Sequence, residues 1–260
     1  MSVYEKIETF EAWQEDYYQP ISRWYYDRAI PRMVRGLNPK PDSVVLDAGC
    51  GPGGHSIRTA KMGYRVQAVD ISHAVIKLAK ERAEKEGVAD RIEFEQGDLT
   101  KLRFDDASFD CIFSWGCVIH IPPVEQALAE LGRITRPGGR LALQVLNRYS
   151  WDWPLEATAR KLAGKQLKET SNEPLGTGCW YTWNEEKIYN IYFDINKLIT
   201  NVEGLGFTLV HRRAAEFTEI QRRVKGIPRH MLLLLNNLWF AGHFPAGPAC
   251  TNVITFEKKK

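Results

Sequence analysis

Closely spaced cysteine pairs are missing from this chain. Its 260 residues hold five cysteines, Cys50, Cys111, Cys117, Cys179 and Cys250, and none forms a CxxC pair. That spacing argues against a zinc knuckle or a disulfide framework and suits a reducing cytosol, with each thiol acting as a small hydrophobe. Long apolar runs are missing too. The longest, Met231–Leu235, is far too short to span a bilayer. The opening MSVYEKIETFEAW alternates charges and has no basic start before an apolar core, so it does not read as a secretory signal. Charge of one sign is scarce as well: 35 basic against 32 acidic residues leave +3. A nucleic-acid binder would be expected to cluster basic residues on one face. The terminal Lys258–Lys260 reads as a solvated tail.

What is present is a regular alternation. The first 40 residues look helical and aromatic, with Trp13, Tyr17, Tyr18, Trp24, Tyr25 and Tyr26, until Pro39 and Pro41 break the chain. VVLDA (44–48) reads as a strand buried on both faces. A helix over 53–62, a strand over 64–69 and a helix over 74–86 ending at Gly87 follow. Strands at 92–96 and 109–114, a helix at 124–133 and a strand at 140–145 after the RPGG turn complete the series. This rhythm predicts a doubly wound α/β sheet of mostly parallel strands with helices on both faces. Beyond it, residues 147–177 look loop-like and 179–193 reads as a hairpin around Asn184–Glu186. Asp194 should cap a helix to Glu203, with a strand at 207–213 and a mostly helical stretch at 217–240 broken at Pro228. The last strand, 253–257, is expected to lie antiparallel to its neighbour. The division that results is one domain over 1–260. It has a helical lid (1–40), a ligand-binding core (41–146) and two cap elements (147–183 and 214–248).

In such sheets ligands sit at the carboxyl ends of the strands. The stretch VLDAGCGPGG lies there, with Gly49, Gly51, Gly53 and Gly54 letting a ligand approach the backbone. Glycines 49, 51 and 54 fit G-x-G-x-x-G, a pattern that permits a dinucleotide reader. Asp47 argues against that reading, because a carboxylate at the strand tip would repel a pyrophosphate and suit an ammonium-bearing ligand.

With those residues in view, the chain resembles the class I S-adenosylmethionine-dependent methyltransferases, whose first motif reads much like VLDAGCGPGG. VQAVDIS (66–72) and EQGDLTKL (95–102) match further stations in order. FDCIFSWGCVIHI (109–121) and LGRITRPGGRLAL (131–143) do so as well. The resemblance implies a Rossmann-like sheet of seven strands and S-adenosylmethionine as cofactor. It implies cofactor contacts at Asp47, Gly49, Cys50, Gly51 and Gly53 in the first turn. Asp70, with Ile71, falls where the ribose diol would be held; Gly97, Asp98 and Leu99 fall at the adenine, with Asp98 either reading the amino group or only capping a turn. Ser114 and Trp115 fall at the methionine end. Tyr18 and Tyr26 are the lid residues expected to cover the cofactor, with Tyr17 a further candidate. His55 reads as a residue that reaches solvent.

His120 follows the fourth strand and is the candidate general base; the alternative is that it caps the next helix or packs on the sheet. The chain departs from several branches of the family. No Asn/Asp-Pro-Pro-Tyr/Phe follows the fourth strand, no Pro-Cys pair offers a nucleophile, and no carboxylates stand after Ser114 to hold a metal. An O, N or C acceptor on a small or lipid- or glycan-like molecule is therefore expected. An RNA or protein methyltransferase and a non-catalytic cofactor-binding module are the alternatives. Two regions should set the acceptor: 147–183, with Arg148, Tyr149, Trp151, Trp153, Trp180, Tyr181 and Trp183, and the segment 221–240. The latter joins Arg222, Arg223, Lys225 and Arg229 to an apolar stretch. It suggests weak contact with a membrane surface or an anionic, greasy substrate, unless the helix simply buries its apolar side.

Overall fold

The computed structural model describes residues 20–155, 158, 169–183, 186–222, 224 and 226–260. Its first helix is α1 (Pro20–Gly36). The alternating series that follows is β1 (Val44–Ala48), α2 (Gly54–Lys61), β2 (Arg65–Asp70), α3 (His73–Lys85), β3 (Ile92–Gln96), β4 (Phe109–Trp115), α4 (Val124–Ile134) and β5 (Thr135–Asn147). Next come β6 (Glu169–Glu173), β7 (Gly176–Trp183), β8 (Glu186–Phe193), α5 (Ile195–Gly204), β9 (Phe207–Ala214), α6 (Ile227–Ala241) and β10 (Thr251–Lys258).

The five strands β3-β2-β1-β4-β5 are parallel, and β10 inserts antiparallel between β5 and β9. This is the expected seven-stranded core with its last strand reversed. The cap adds three more strands to the same sheet, making ten. β8 joins β5 only through Leu146↔Tyr192 and Asn147↔Phe193, beyond the last residue that β4 pairs. The hairpin of β7 and β8, with β6 on its edge, therefore stands over the carboxyl ends of the core strands.

Strand alternation decides what each face receives. Leu46, Ile112, Leu141 and Leu143 point to one side and pack with Leu128 and Leu131 of α4 and Leu198 and Val202 of α5. Val45, Phe113 and Ala142 point to the other side and meet Tyr25, Ile30 and Val34 of α1. On that same side Val66, Ala68 and Phe94 meet Ile57 of α2 and Ile76 and Ala79 of α3. The described part of the expected lid thus serves as a core helix. Asp194 caps α5 as expected, accepting from Asn196 N and Lys197 N.

Two sequence expectations are corrected. Residues 169–173 form a strand where a loop was expected, because their backbone pairs with β7 from Glu169↔Trp180 to Glu173↔Gly176. The stretch 217–240 is not one helix broken at Pro228. Pro228 sits in the first turn of α6, where its missing N–H has no partner to lose, and only a single 3-10 turn, Ile220–Arg222, precedes it. The two cap regions are joined by a stack of Trp151, Phe217 and Trp239, with centroids 5.0 and 4.1 Å apart. Among the described residues no helix is long and apolar enough to cross a membrane.

Candidate functional site

The carboxyl ends of β1, β2 and β4 open into a cavity of about 580 Å³, roofed by the β7–β8 hairpin. Its floor is the turn after β1. Gly49 N and Cys50 N both donate to the Val69 carbonyl, at 2.8 and 2.9 Å, which folds the chain back sharply. Gly49 holds φ +83°, and a Cβ there would come within 2.1 Å of the Cys117 sulfur. Only glycine meets both demands.

Asp70 stands at the rim at the tip of β2. Its Oδ2 accepts from Gly51 N at 2.8 Å and its Oδ1 from Ser72 N at 3.0 Å. Burial raises its pKa, against the pull of those N–H donors. Ile71, Gly97, Asp98 and Leu99 continue the wall. Asp98 Oδ1 is committed to its own turn, accepting from Thr100 N and Thr100 Oγ1 at 2.8 Å each, while Leu99 is buried beside it.

Three expected cofactor residues stand behind the wall. Asp47 shares the face of Val45 and points under α2, where Ser56 Oγ donates to its Oδ2 at 2.6 Å. Burial pushes its carboxyl up to about 7, opposed by the Ser56 hydrogen bond and reinforced by Asp70. Gly53 begins α2 at φ +78°, and a Cβ there would meet Ala79 at 2.9 Å, so it serves helix packing. Ser114 pairs in register with Leu143 and is fully buried on the opposite face. Its neighbour Trp115, one residue on and hence on the other side, does line the cavity. Tyr26 lines it too; Tyr17 and Tyr18 lie outside the described residues.

His55 does not simply reach solvent. It stands in the cavity wall between Tyr26 and Trp115, with ring centroids 5.2 and 5.7 Å away. Its Nδ1 is shut off from solvent and has no hydrogen-bond partner. Burial, then the nearby Arg58, lowers its pKa to about 3, so the ring is neutral near pH 7.

His120 sits in a 3-10 turn, Val118–His120, that follows β4. Its Nδ1 lies 2.8 Å from the Tyr189 carbonyl. A carbonyl only accepts, so Nδ1 carries the proton and Nε2 of the neutral ring carries the lone pair. Trp180, Lys187 and Tyr189 of the hairpin and Gln126 of α4 close the same cavity. Of these four, only Trp180 was expected from the sequence. The signal for Tyr189 was the hairpin register, which pairs Trp180 with Tyr189, and Lys187 lies two residues before it on the same face. Trp151 and Trp153 are not in the cavity wall: the first stacks on Phe217 and the second packs at a tilt against Tyr192. Cys117 lines the cavity as a neutral thiol, its pKa pushed up by burial and then by Asp70 and Asp47.

The methyltransferase domain family matches residues 45–139, the span that holds the glycine turn, Asp70, Asp98 and His120. Over that span the chain matches a methyltransferase domain, which supports its resemblance to the class I S-adenosylmethionine-dependent methyltransferases. Around this methyltransferase domain the curated relatives differ in substrate. A sterol 24-C-methyltransferase of Gibberella zeae is 35% identical over 48% of this chain and 33% of its own length. The 27-O-demethylrifamycin SV methyltransferase of Amycolatopsis mediterranei is 39% identical over 45% of this chain and 43% of its own. The chain thus spans less than half the length of either relative. Among solved structures, a geranyl diphosphate C-methyltransferase from Streptomyces coelicolor, crystallised with Mg2+, geranyl diphosphate and S-adenosyl-L-homocysteine, aligns at a TM-score of 0.56. It shares 14% identity and covers 88% of this chain and 79% of its own, a likeness of fold.

Proposed function

We propose that the protein transfers a methyl group from S-adenosylmethionine to a small, largely apolar acceptor, with a hydroxyl as the favoured site. The observation that carries this reading is the cavity that unites the glycine turn, Asp70 and His120 under an aromatic hairpin.

The residues present fit the cofactor. The Gly49–Gly51 turn lines the cavity without side chains, Asp70 offers a carboxylate for a diol, and Ile71 and Leu99 offer apolar walls for a planar base. Tyr26, His55 and Trp115 surround one end with aromatic faces, and a neutral His55 adds no positive charge there. Such faces attract a cation. Asp47 then contributes from behind the turn, through Ser56, and not by direct contact. When bound, S-adenosylmethionine supplies an electrophilic methyl carbon on sulfur.

The chain's own work is alignment, exclusion of water and custody of one proton. The hairpin covers the cavity and keeps water out. Trp180 and Tyr189, 4.9 Å apart between ring centroids and inclined at 54°, give the acceptor an aromatic seat. His120 Nε2, fixed as the acceptor nitrogen by the Tyr189 carbonyl, takes the proton that a hydroxyl acceptor loses. The near-balanced charge and the apolar cap support a small molecule over RNA. Five free thiols support a reducing, cytoplasmic setting.

Thermal melting tests the cofactor. S-adenosylhomocysteine should raise the melting temperature and NAD should not, since only a ligand of the native state stabilises it. Asp70→Ala should remove the shift. An equal shift in that variant would sink the ribose assignment, and a shift with NAD alone would sink the cofactor. A methyl-donor assay across small apolar alcohols, phenols and amines then identifies the acceptor.

A further inference from the structure

Helix α6 is inside out. Its inner flank carries Asn236 and Asn237, both buried. Asn236 Oδ1 accepts from Phe217 N and Thr218 N at 2.9 and 3.0 Å, and its Nδ2 donates to the Thr218 carbonyl at 3.0 Å. Those bonds hold the polar flank inward. Leu233 is buried beside them, but Leu234, Leu235 and Leu238 face out. Ile227 is 78% exposed, Met231 67%, Leu234 53% and Leu238 57%, and with Leu235 they fall within about a 100° arc of the helix. The stripe runs the length of a helix about 22 Å long. An apolar stripe of that extent does not stay in water by accident of composition, since isolated exposed leucines are ordinary but contiguous ones are not.

The segment that carries the stripe has one sign of charge along its sequence. From Ile220 to Cys250 there is no Asp or Glu, while Arg222, Arg223, Lys225 and Arg229 precede or open the helix. At the other end Arg32 bonds the Phe240 carbonyl at 2.7 Å and meets His243, with Arg213 near enough to repel its charge. An apolar stripe with cationic ends is the pattern of a helix that lies in the plane of an anionic interface. A second copy of the chain would bring like charges together around the same stripe.

We propose that α6 seats the protein on an anionic lipid surface, with Ile227, Met231, Leu234 and Leu238 entering the interface and the basic ends meeting the headgroups. The seat is also coupled to the cavity. Phe240, on the inner flank of α6, packs edge-on against Tyr25 at 5.8 Å, and Tyr25 packs against the cavity residue Trp115 at 6.4 Å. The inference stands independently of methyl transfer, because its test needs no donor.

Flotation of the full chain with phosphatidylcholine vesicles, with and without phosphatidylglycerol, tests it. The anionic vesicles should carry at least about tenfold more protein than the neutral ones, and added salt should shrink the difference. The double variant Met231→Glu/Leu238→Glu should lose about tenfold of that binding with an unchanged melting temperature, since both side chains are exposed. The milder Leu234→Ser should lose part of it. Equal binding to both vesicle types, or full binding by the double variant, would overturn the proposal. So would a wild-type dimer in sedimentation that the double variant dissolves, because the stripe would then belong to a second copy.

Discussion

The Nδ1 of His120 and the carbonyl of Tyr189 are 2.8 Å apart, and that one hydrogen bond crosses from the parallel core to the cap hairpin. It does two things at once. It fixes which nitrogen of the ring holds the proton, and it ties β8 across the end of β4. The candidate base is therefore positioned by the element that closes the cavity.

His120→Asn should leave S-adenosylhomocysteine binding within about twofold and lower turnover by roughly 10²–10⁴ if the acceptor loses its proton to this ring. Equilibrium binding and single-turnover rates separate the two effects. Unchanged turnover would remove His120 from the chemistry and leave it as a strut for the hairpin. A loss of binding equal to the loss of rate would also count against the base, since it would point to a collapsed cavity.

The floor of the site makes a second prediction. Gly49→Ala adds a Cβ at φ +83° that would stand 2.1 Å from the sulfur and 2.3 Å from the Cβ of Cys117. The expected cost is roughly 2–5 kcal/mol, from backbone strain and overpacking together. Cys117→Gly removes both clashing atoms, so the double variant should recover roughly 1–3 kcal/mol and keep only the backbone part. Chemical denaturation of the two single variants and the double variant measures the coupling. Strict additivity would mean the two residues do not meet.

Much of this candidate site was legible in the sequence because its wall is built from local stretches. The glycine turn, Asp70 and Leu99 each sit at the end of a strand whose pattern announces it, and topology alone brings strand ends together. What escaped was decided by facing and by distant partners. Ser114 and Trp115 are neighbours in sequence, yet strand alternation sends one into the core and the other into the cavity. Asp47 follows the same rule: it shares a face with Val45, so it meets Ser56 of α2 and not the cavity. Residues 169–173, Glu-Thr-Ser-Asn-Glu, have no apolar alternation because they form an exposed edge strand, held by backbone pairing to β7. The facing of α6 was hidden for the reverse reason. Apolar residues are expected inward, and the demand of the Phe217 and Thr218 N–H groups for Asn236 outweighs that expectation.

The buried Asp47 and the partly buried His55 pull stability in opposite directions with pH. Asp47 has a folded pKa of about 7 against 3.8 in its ordinary state, so the folded protein holds a proton that the unfolded chain releases. Stability is therefore lost as pH rises from about 4 to about 7, on the order of 4 kcal/mol at full extent. His55 behaves conversely. Its folded pKa is about 3 against 6.5, so the unfolded chain takes up a proton that the folded ring refuses, and stability is lost as pH falls from about 6.5 towards 3. Between pH 4 and 6.5 the two effects offset each other in the wild-type protein. Single variants should uncover them. Relative to the wild-type protein, Asp47→Asn should lose more stability as pH falls through that window, because His55 is then opposed by Asp70 and no longer by Asp47. His55→Phe should gain more stability over the same fall, because both carboxyls are then unopposed by this ring. Urea melts at several pH values read both slopes. If the two variants depart from the wild-type slope in the same direction, burial is not what sets these protonation states, and the neutral aromatic corner inferred for His55, Tyr26 and Trp115 loses its basis.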